Sequence, residues 1–166
     1  MAELTTKELL QPSLLDRLTD KAADKKLETL RERVMSFNDL RKSVIRDLEW
    51  LFNTVHIEAF QDLSDHPETR RSTINYGITD LAGVWAANKD SEIMERELRQ
   101  AITDFEPRIL PDTLEIHVTT ETDEMSPTTM TFEIVGELWW QPLPERFYLK
   151  TTLDIELGRF KNESGE

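Results

Sequence analysis

In the stretch AITDFEPRILPDTLEIHV, residues 101–118, the spacing of the apolar residues changes partway along, and this change separates two structural halves of the chain. Up to Phe105 they recur every three or four positions, as on one face of a helix, and from Leu114 onward they alternate with polar residues, as in a half-buried strand. Pro107 disfavours helical geometry at Glu106, so we expect the helix to end there. The chain is therefore predicted to be helical before this stretch and β-sheet after it.

Two long helices are predicted on the N-terminal side. The first begins near Asn38, a suitable N-cap. Its apolar stripe consists of Leu40, Val44, Leu48, Leu51, Phe52 and Val55. The second covers residues 90–105 with Asp90 or Ser91 as its cap. Its apolar face consists of Ile93, Met94, Leu98, Ala101, Ile102 and Phe105. Two such stripes predict two helices that share one core.

Shorter elements lie around these helices. Ser13 and Asp16 match the Ser-x-x-Asp start signal of a short helix. Pro67 is expected in a first helical turn and Gly77 at a stop. The stretch ITDLAGVW, residues 78–85, is interpreted as a short turn or a single helical turn, and the charged segment 21–34 as either an exposed helix or a mobile linker.

Three strands are predicted on the C-terminal side, within TLEIHVTTET (113–122), MTFEIVGELWW (130–140) and RFYLKTTLDIEL (146–157). Short connections of turn composition favour an antiparallel meander with one buried face. The predicted class is α+β, with N-terminal helices packed on a small C-terminal antiparallel three-stranded β-meander. We expect one domain over residues 13–160, with flexible tails at 1–12 and 161–166.

Composition excludes several kinds of function. The 166 residues carry a formal net charge of −13, which disfavours non-specific binding to nucleic acid or to anionic membranes. The absence of cysteine excludes disulfides and thiol chemistry. With no signal-like N-terminus and no apolar run of spanning length, we expect a cytoplasmic protein without direct membrane insertion.

No catalytic or metal-binding pattern emerges. His56, His66 and His117 lack metal-ligand spacing, and His117 falls on the solvent face of a strand. There is no glycine-rich phosphate loop, and no cofactor is predicted. Acidic residues are abundant, but Glu106 beside a cation is a poor proton donor.

The pair Trp139-Trp140 is the clearest aromatic feature of the chain. Because adjacent strand residues point to opposite faces, one indole is expected in the core and the other outside. The outer indole suggests an interface, or else the N-terminal segment covers it.

Four stretches occur in a characteristic order and spacing: RKSVIRDLEWLFNT (41–54), STINYGITDLAG (72–83), AITDFEPRIL (101–110) and TTLDIELG (151–158). Together they resemble the TssE family of type VI secretion baseplate subunits, which is similar to the sheath-initiator wedge protein of contractile phage tails. The resemblance covers roughly residues 13–158; the segment 21–36 has no counterpart that we can place.

The resemblance implies a non-enzymatic structural role in a cytoplasmic, membrane-docked baseplate. The implied partners are TssF and TssG, with TssK as a further candidate, and the sheath proteins TssB and TssC. It implies that the Glu-Pro-Arg corner anchors the subunit, as a rigid bend that presents two opposite charges. The residues assigned to baseplate partners are Arg41, Arg46, Asp47, Glu106, Pro107 and Arg108. We favour the last predicted strand as the sheath-facing edge, with Phe147, Leu149, Lys150, Thr151, Leu153 and Asp154.

Two alternatives stay open at this point. A peptidoglycan-cleaving, lysozyme-like hydrolase would need two carboxylates that face one cleft, together with delivery to the periplasm. A generic acidic cytoplasmic adaptor would need neither, and no pattern in the sequence excludes it.

Overall fold

The computed structural model describes residues 13–19, 36–88, 90–120, 129–140 and 143–162. The α-helices are α1 (Leu14–Leu18), α2 (Phe37–Phe52), α3 (Pro67–Arg70), α4 (Leu81–Asn88) and α5 (Ser91–Phe105). Single 3₁₀ turns lie at Ile57–Ala59, Thr73–Asn75 and Pro111–Thr113. The strands are β1 (Glu115–Thr120), β2 (Thr129–Leu138), β3 (Glu145–Asp154) and β4 (Arg159–Asn162). The α+β prediction is confirmed.

The sheet is antiparallel with the order β1-β2-β3-β4, so it has four strands where the sequence predicted three. The additional strand, β4, is short and has one buried side chain, Phe160, whose ring lies 5.3 Å from that of Phe52. Asn53 accepts from the Phe160 amide at 3.0 Å and donates to its carbonyl at 3.3 Å. β4 includes residues 161 and 162, which we had assigned to a C-terminal tail.

α2, α5 and the inner face of the sheet share one core, as the two periods predicted. The fully enclosed side chains of the helices include Leu40, Val44, Leu48, Leu51, Met94, Leu98 and Ile102. Those of the sheet include Met130, Phe132, Ile134, Leu138 and Phe147. Each such side chain stabilises the fold by about 1.5–3 kcal/mol. Val55, the last member of the predicted stripe, lies beyond α2 and is 49% exposed.

Several helix boundaries differ from the predictions. α2 is capped by Ser36, which accepts from the Asp39 amide, and Asn38 lies inside its first turn. Asp90 caps α5, as one of the two predicted alternatives. α4 is a helix of eight residues where the sequence predicts a short turn or a single helical turn. Pro67 does begin a helix, but that helix ends at Arg70, well before the predicted stop.

Contrary to the sequence prediction, Gly77 does not end a helix but allows two backbone segments to approach closely. Its φ of +129° is one that residues with a side chain rarely adopt, and a Cβ there would lie 2.4 Å from the Thr54 carbonyl oxygen. The close approach lets Val55 and Ile78 form a parallel bridge. The loop after α2 is thereby fixed against the segment that leads into α4.

Candidate functional site: the Glu106–Arg108 corner

The corner between α5 and β1 is held by backbone bonds on both sides. The Glu106 amide donates to the Ile102 carbonyl at 2.8 Å and so caps α5. Beyond Pro107 the chain runs antiparallel to the end of β2. There the Trp139 amide donates to the Arg108 carbonyl at 2.8 Å, and Leu110 donates to Glu137 at 2.9 Å. The positions of the corner side chains are therefore fixed by a helix and a sheet together.

Glu106 and Arg108 bind each other inside this corner. The Glu106 carboxylate is 3% exposed, and its Oε1 accepts from the Arg108 backbone amide at 3.2 Å and from Nε at 2.6 Å. Its Oε2 accepts from Nη2 of the same guanidinium. A bidentate ion pair of this kind is directional as well as strong. The turn at Pro107 brings the two charges together instead of presenting both to solvent.

Arg108 also links the corner to α2. Its Nη1 donates to Ser43 Oγ at 3.0 Å, and its Nη2 donates to Asp47 Oδ2 at 2.6 Å. Burial alone would lower the pKa of Arg108, but its bonds to Glu106 and then to Asp47 outweigh that effect and raise the pKa above its ordinary value. Arg108 is thus a permanent cation that ties together residues 61 positions apart.

The network continues through α2 to α1. Asp47 Oδ1 accepts from Arg46 at 2.9 and 2.8 Å, and Arg46 Nη1 donates to Asp16 Oδ1 at 2.6 Å. Asp16 Oδ2 accepts from the hydroxyls of Ser43 at 2.7 Å and Ser13 at 2.6 Å. Burial alone would raise the pKa of Asp16, but Arg46 and the two hydroxyls lower it well below 3.8.

A cavity of about 250 Å³ opens beside the corner. Its lining consists of Asp47, Leu48, Trp50, Leu51, Tyr76, Phe105, Glu106 and Arg108. Tyr76 packs edge-on against Phe105 at 5.4 Å, and its hydroxyl donates to the Asp47 carbonyl at 3.3 Å. Burial raises the pKa of Tyr76, and the charges of Asp47 and Glu106 add to this. The cavity therefore has aromatic walls and a polar rim, a combination suited to an amphipathic side chain.

Trp50 forms the exposed lip of this cavity. Its side chain is 50% exposed, and the Arg46 guanidinium lies 5.1 Å from the ring centroid, over the indole. A half-exposed indole beside a fixed cation is a common anchor in protein interfaces. The corner is thus joined to a surface that a partner can reach.

A second cleft, of about 380 Å³, lies between α5 and the loops that precede it. Arg70, Arg71 and Arg96 line it together with Glu58, Glu97 and Asp104, so its charges balance. Over the residues that the structure describes, no group of three histidine or acidic side chains is placed to hold a metal ion. The described helices also include none long and apolar enough to cross a membrane.

Of the residues assigned to baseplate partners, the structure brings Arg46, Asp47, Glu106 and Arg108 into one network. Pro107 is exposed at the turn, and Arg41 lies apart, where its guanidinium reaches the Tyr148 carbonyl at 3.5 Å. The expectation that the corner presents two opposite charges is wrong for Glu106, which is buried. A role in partner binding stays a prediction.

The proposed sheath-facing strand corresponds to β3, and β3 is not a full edge strand. β4 pairs with it from Thr151 to Asp154. The side chains of Phe147, Leu149, Thr151 and Leu153 are buried, while Lys150 and Asp154 are half-buried. The edge strands of the described sheet are β1 and β4. On β1, Glu95 of α5 accepts from the Val118 amide at 3.1 Å, so a helix side chain covers part of that edge.

The two tryptophans divide as the alternation predicted. Trp139 is 48% exposed, whereas Trp140 packs on the core with its ring 5.7 Å from that of Phe37. His117 is exposed, also as predicted. The charged segment 21–34 and the first predicted tail lie outside the described residues.

Ser43, Asp16 and Tyr76 were not identified as site residues from the sequence. Ser43 offered a signal, because it lies three positions after Leu40 and next to Val44 on the predicted apolar face of α2. In the structure it is 5% exposed. A buried hydroxyl requires a hydrogen-bond partner, so a serine there indicates a polar network nearby. Asp16 offered none beyond its place in a capping pattern.

A match to a family model shows which protein family contains this corner. The model described as baseplate wedge protein gp25 matches residues 38–143, more than half of the chain. The matched range contains α2 except for its first residue, together with α5, the corner, β1 and β2. Comparison with curated proteins and with solved structures gave no match. The chain belongs to the baseplate wedge protein gp25 family, and its role is that of a structural protein of a contractile baseplate.

Proposed function

We propose that this protein is the TssE-type subunit of a type VI secretion baseplate. In this proposal it is a non-enzymatic cytoplasmic protein that joins TssF and TssG, with TssK as a further contact. It also provides the platform on which the TssB–TssC sheath begins to polymerise. The observation that carries the proposal is the family match over residues 38–143, together with the four ordered motifs.

The surface beside the corner supports a contact with a larger partner. The cavity has aromatic walls, and Trp50 at its lip is half exposed. Its rim charges are held in place by Arg108 and by the backbone of β2. Interfaces concentrate binding energy in such pre-organised pockets, where side chains lose little freedom on binding.

The test uses Trp50→Ala in the full chain, co-expressed with TssF and TssG. Because half of this side chain is exposed, the variant should remain folded while it loses the lip of the cavity. We expect at least about a thirtyfold loss of affinity, which corresponds to the roughly 2 kcal/mol of one hot spot. His117→Ala, on an exposed strand position far from the cavity lining, is the matched control.

Two results would contradict the proposal at different levels. Failure of the unaltered chain to co-purify with TssF and TssG would overturn the assignment to this baseplate. Normal binding by folded Trp50→Ala would leave the assignment intact and exclude the cavity as the contact surface. Glu106 and Arg108 are less suitable for this test because their removal is expected to destabilise the fold itself.

Sheath initiation is supported by the antiparallel sheet with its two edge strands. Strand addition supplies directional backbone hydrogen bonds that a polymer can repeat. The assay is polymerisation of purified TssB and TssC on the assembled baseplate complex, with and without this subunit. Equal polymerisation in both cases would contradict the platform role.

The non-enzymatic part of the proposal has its own test. Purified cell wall should keep its turbidity when the protein is added. Clearing that disappears on substitution of a single Glu or Asp would establish a hydrolase instead.

A further inference from the structure

The helix α1 is attached to the rest of the molecule in an unusual way. None of its residues is buried, and its three leucines, Leu14, Leu15 and Leu18, are 70%, 45% and 75% exposed. Short helices normally dock by burying an apolar face, because a single turn or two is not stable alone. α1 has its apolar side chains outward and its carboxylate inward.

Asp16 makes the attachment. Its carboxylate is 8% exposed and accepts from Arg46 at 2.6 Å and from Ser43 at 2.7 Å, both on α2. Ser13, the N-cap of α1, donates to the same carboxylate at 2.6 Å. On α2, therefore, a hydroxyl and a guanidinium converge on one carboxylate group, which is the chemistry of a carboxylate-binding site.

We propose that Ser43 and Arg46 form a carboxylate-binding site that Asp16 occupies as a detachable latch. When α1 is released, the site opens directly beside the Asp47–Arg108–Glu106 network. The group that replaces Asp16 is then an acidic side chain of a baseplate partner, and this last step alone rests on the proposed function. Release leaves Arg46 bound to Asp47 and stacked on Trp50, so the site keeps its shape when empty.

α1 can detach because little apolar surface holds it against the rest of the molecule. Burial of leucine stabilises a docked helix by amounts that do not depend on charge. Hydrogen bonds to a charged group are roughly twice as strong as those between neutral groups, so the loss of that one charge weakens all the bonds to Asp16 together. One substitution should therefore release α1 and leave α2 and the core intact.

The first experiment measures hydrogen exchange in the full chain with Asp16→Asn. The amides to follow are those of Arg17 and Thr19, which donate to Ser13 and Leu15 within α1 at 3.0 Å. We expect their exchange to accelerate at least about tenfold, as loss of a charged hydrogen bond implies. The amides of α2 should keep their protection.

The matched control is the double variant Leu14→Ala, Leu18→Ala. Because both side chains are largely exposed, exchange of the α1 amides should stay as in the unaltered chain. Unchanged exchange in Asp16→Asn would overturn the latch. Acceleration by the leucine variant as large as that of Asp16→Asn would also overturn it, since apolar docking would then hold α1.

The second experiment tests whether the vacated site takes a carboxylate from another molecule. A synthetic peptide of residues 13–19 is added at millimolar concentration to the Asp16→Asn chain, and the amide resonances of Ser43 and Arg46 are followed. They should shift with this peptide and stay in place with one that carries Asn at position 16. Equal shifts with both peptides, or none with either, would contradict a carboxylate site. Neither experiment contains a baseplate protein, so failure of the latch is distinguishable from failure of the proposed function.

Discussion

Two arginine–glutamate pairs in this molecule share the same chemistry and differ in their surroundings. Arg108 and Glu106 have side chains that are 23% and 3% exposed, and they connect a helix end to a sheet and to α2. Arg70 and Glu58 are 60% and 21% exposed, meet at 2.8 Å, and join the short helix α3 to the 3₁₀ turn at Ile57–Ala59. From this difference in burial we expect the loss of one partner to destabilise the fold far more in the first pair than in the second.

The largest effect is expected from Arg108→Ala. It would leave the Glu106 carboxylate buried without its cation, a change that typically costs about 3–5 kcal/mol. The free energy of unfolding from urea denaturation measures it. A loss below 1 kcal/mol, the range expected of surface pairs, would erase the difference between the two pairs.

Removal of both the Glu106 and the Arg108 charge should lower the free energy of unfolding less than removal of the Arg108 charge alone. In Glu106→Leu with Arg108→Met, no unpaired buried charge remains, and Asp47 keeps its bonds to Arg46. We expect this double variant to be more stable than Arg108→Ala by at least about 1 kcal/mol. If the double variant is the less stable of the two, the pair contributes through its own attraction and not through avoidance of a buried charge.

Asp16→Asn is expected to have an intermediate effect that depends on pH. The pKa of Asp16 is lowered in the folded state, so its contribution is fully present above the unfolded value near 3.8 and is lost as pH falls below that value. At neutral pH the free energy of unfolding of the variant should be lower by about 1.5–3 kcal/mol. The conformational freedom that α1 gains on release reduces this loss. Urea denaturation of both chains across this pH range should show the difference shrinking toward the acid side. A difference that stays constant down to the lowest pH at which the chain folds would contradict the role of the charge.

The smallest effect is expected from Arg70→Ala. An exposed pair of this kind contributes about 0–1 kcal/mol, and salt should reduce even that. Urea denaturation in low and high salt gives both values. A loss as large as that of Arg108→Ala would mean that the loop around Asn75, which accepts from Glu58 and donates to Arg70, depends on the ion pair.

The helices and most of the sheet could be predicted because their signals are local. The apolar periods of α2 and α5 and the alternation in β2 and β3 each extend over ten residues or more. β4 has four residues and one buried side chain, Phe160, too short a pattern to indicate a strand. Its place is set by Asn53, which lies 107 positions away and bonds both backbone groups of Phe160.

Most residues of the candidate site could be selected from the sequence, but the contacts between them could not. The Glu-Pro-Arg corner and the charges of α2 were selected from their motifs, and four of those six residues do lie in one network. That Glu106 is buried, that Arg108 joins Ser43 and Asp47, and that Asp16 completes the chain of bonds depends on which segments meet in space.

The α+β class, the end of α5 at Phe105 and the family can be inferred without the structure, because periodicity, proline stereochemistry and ordered motifs are properties of the amino-acid sequence. What the charges of the corner do depends on tertiary packing. A charged side chain stabilises, binds or merely solvates according to its burial and its partners, and these partners come from segments that the sequence does not place side by side. The sequence AITDFEPRIL specifies a bend after α5. The packing of α2 against that bend turns its charges inward, where Arg108 binds Ser43 and Asp47.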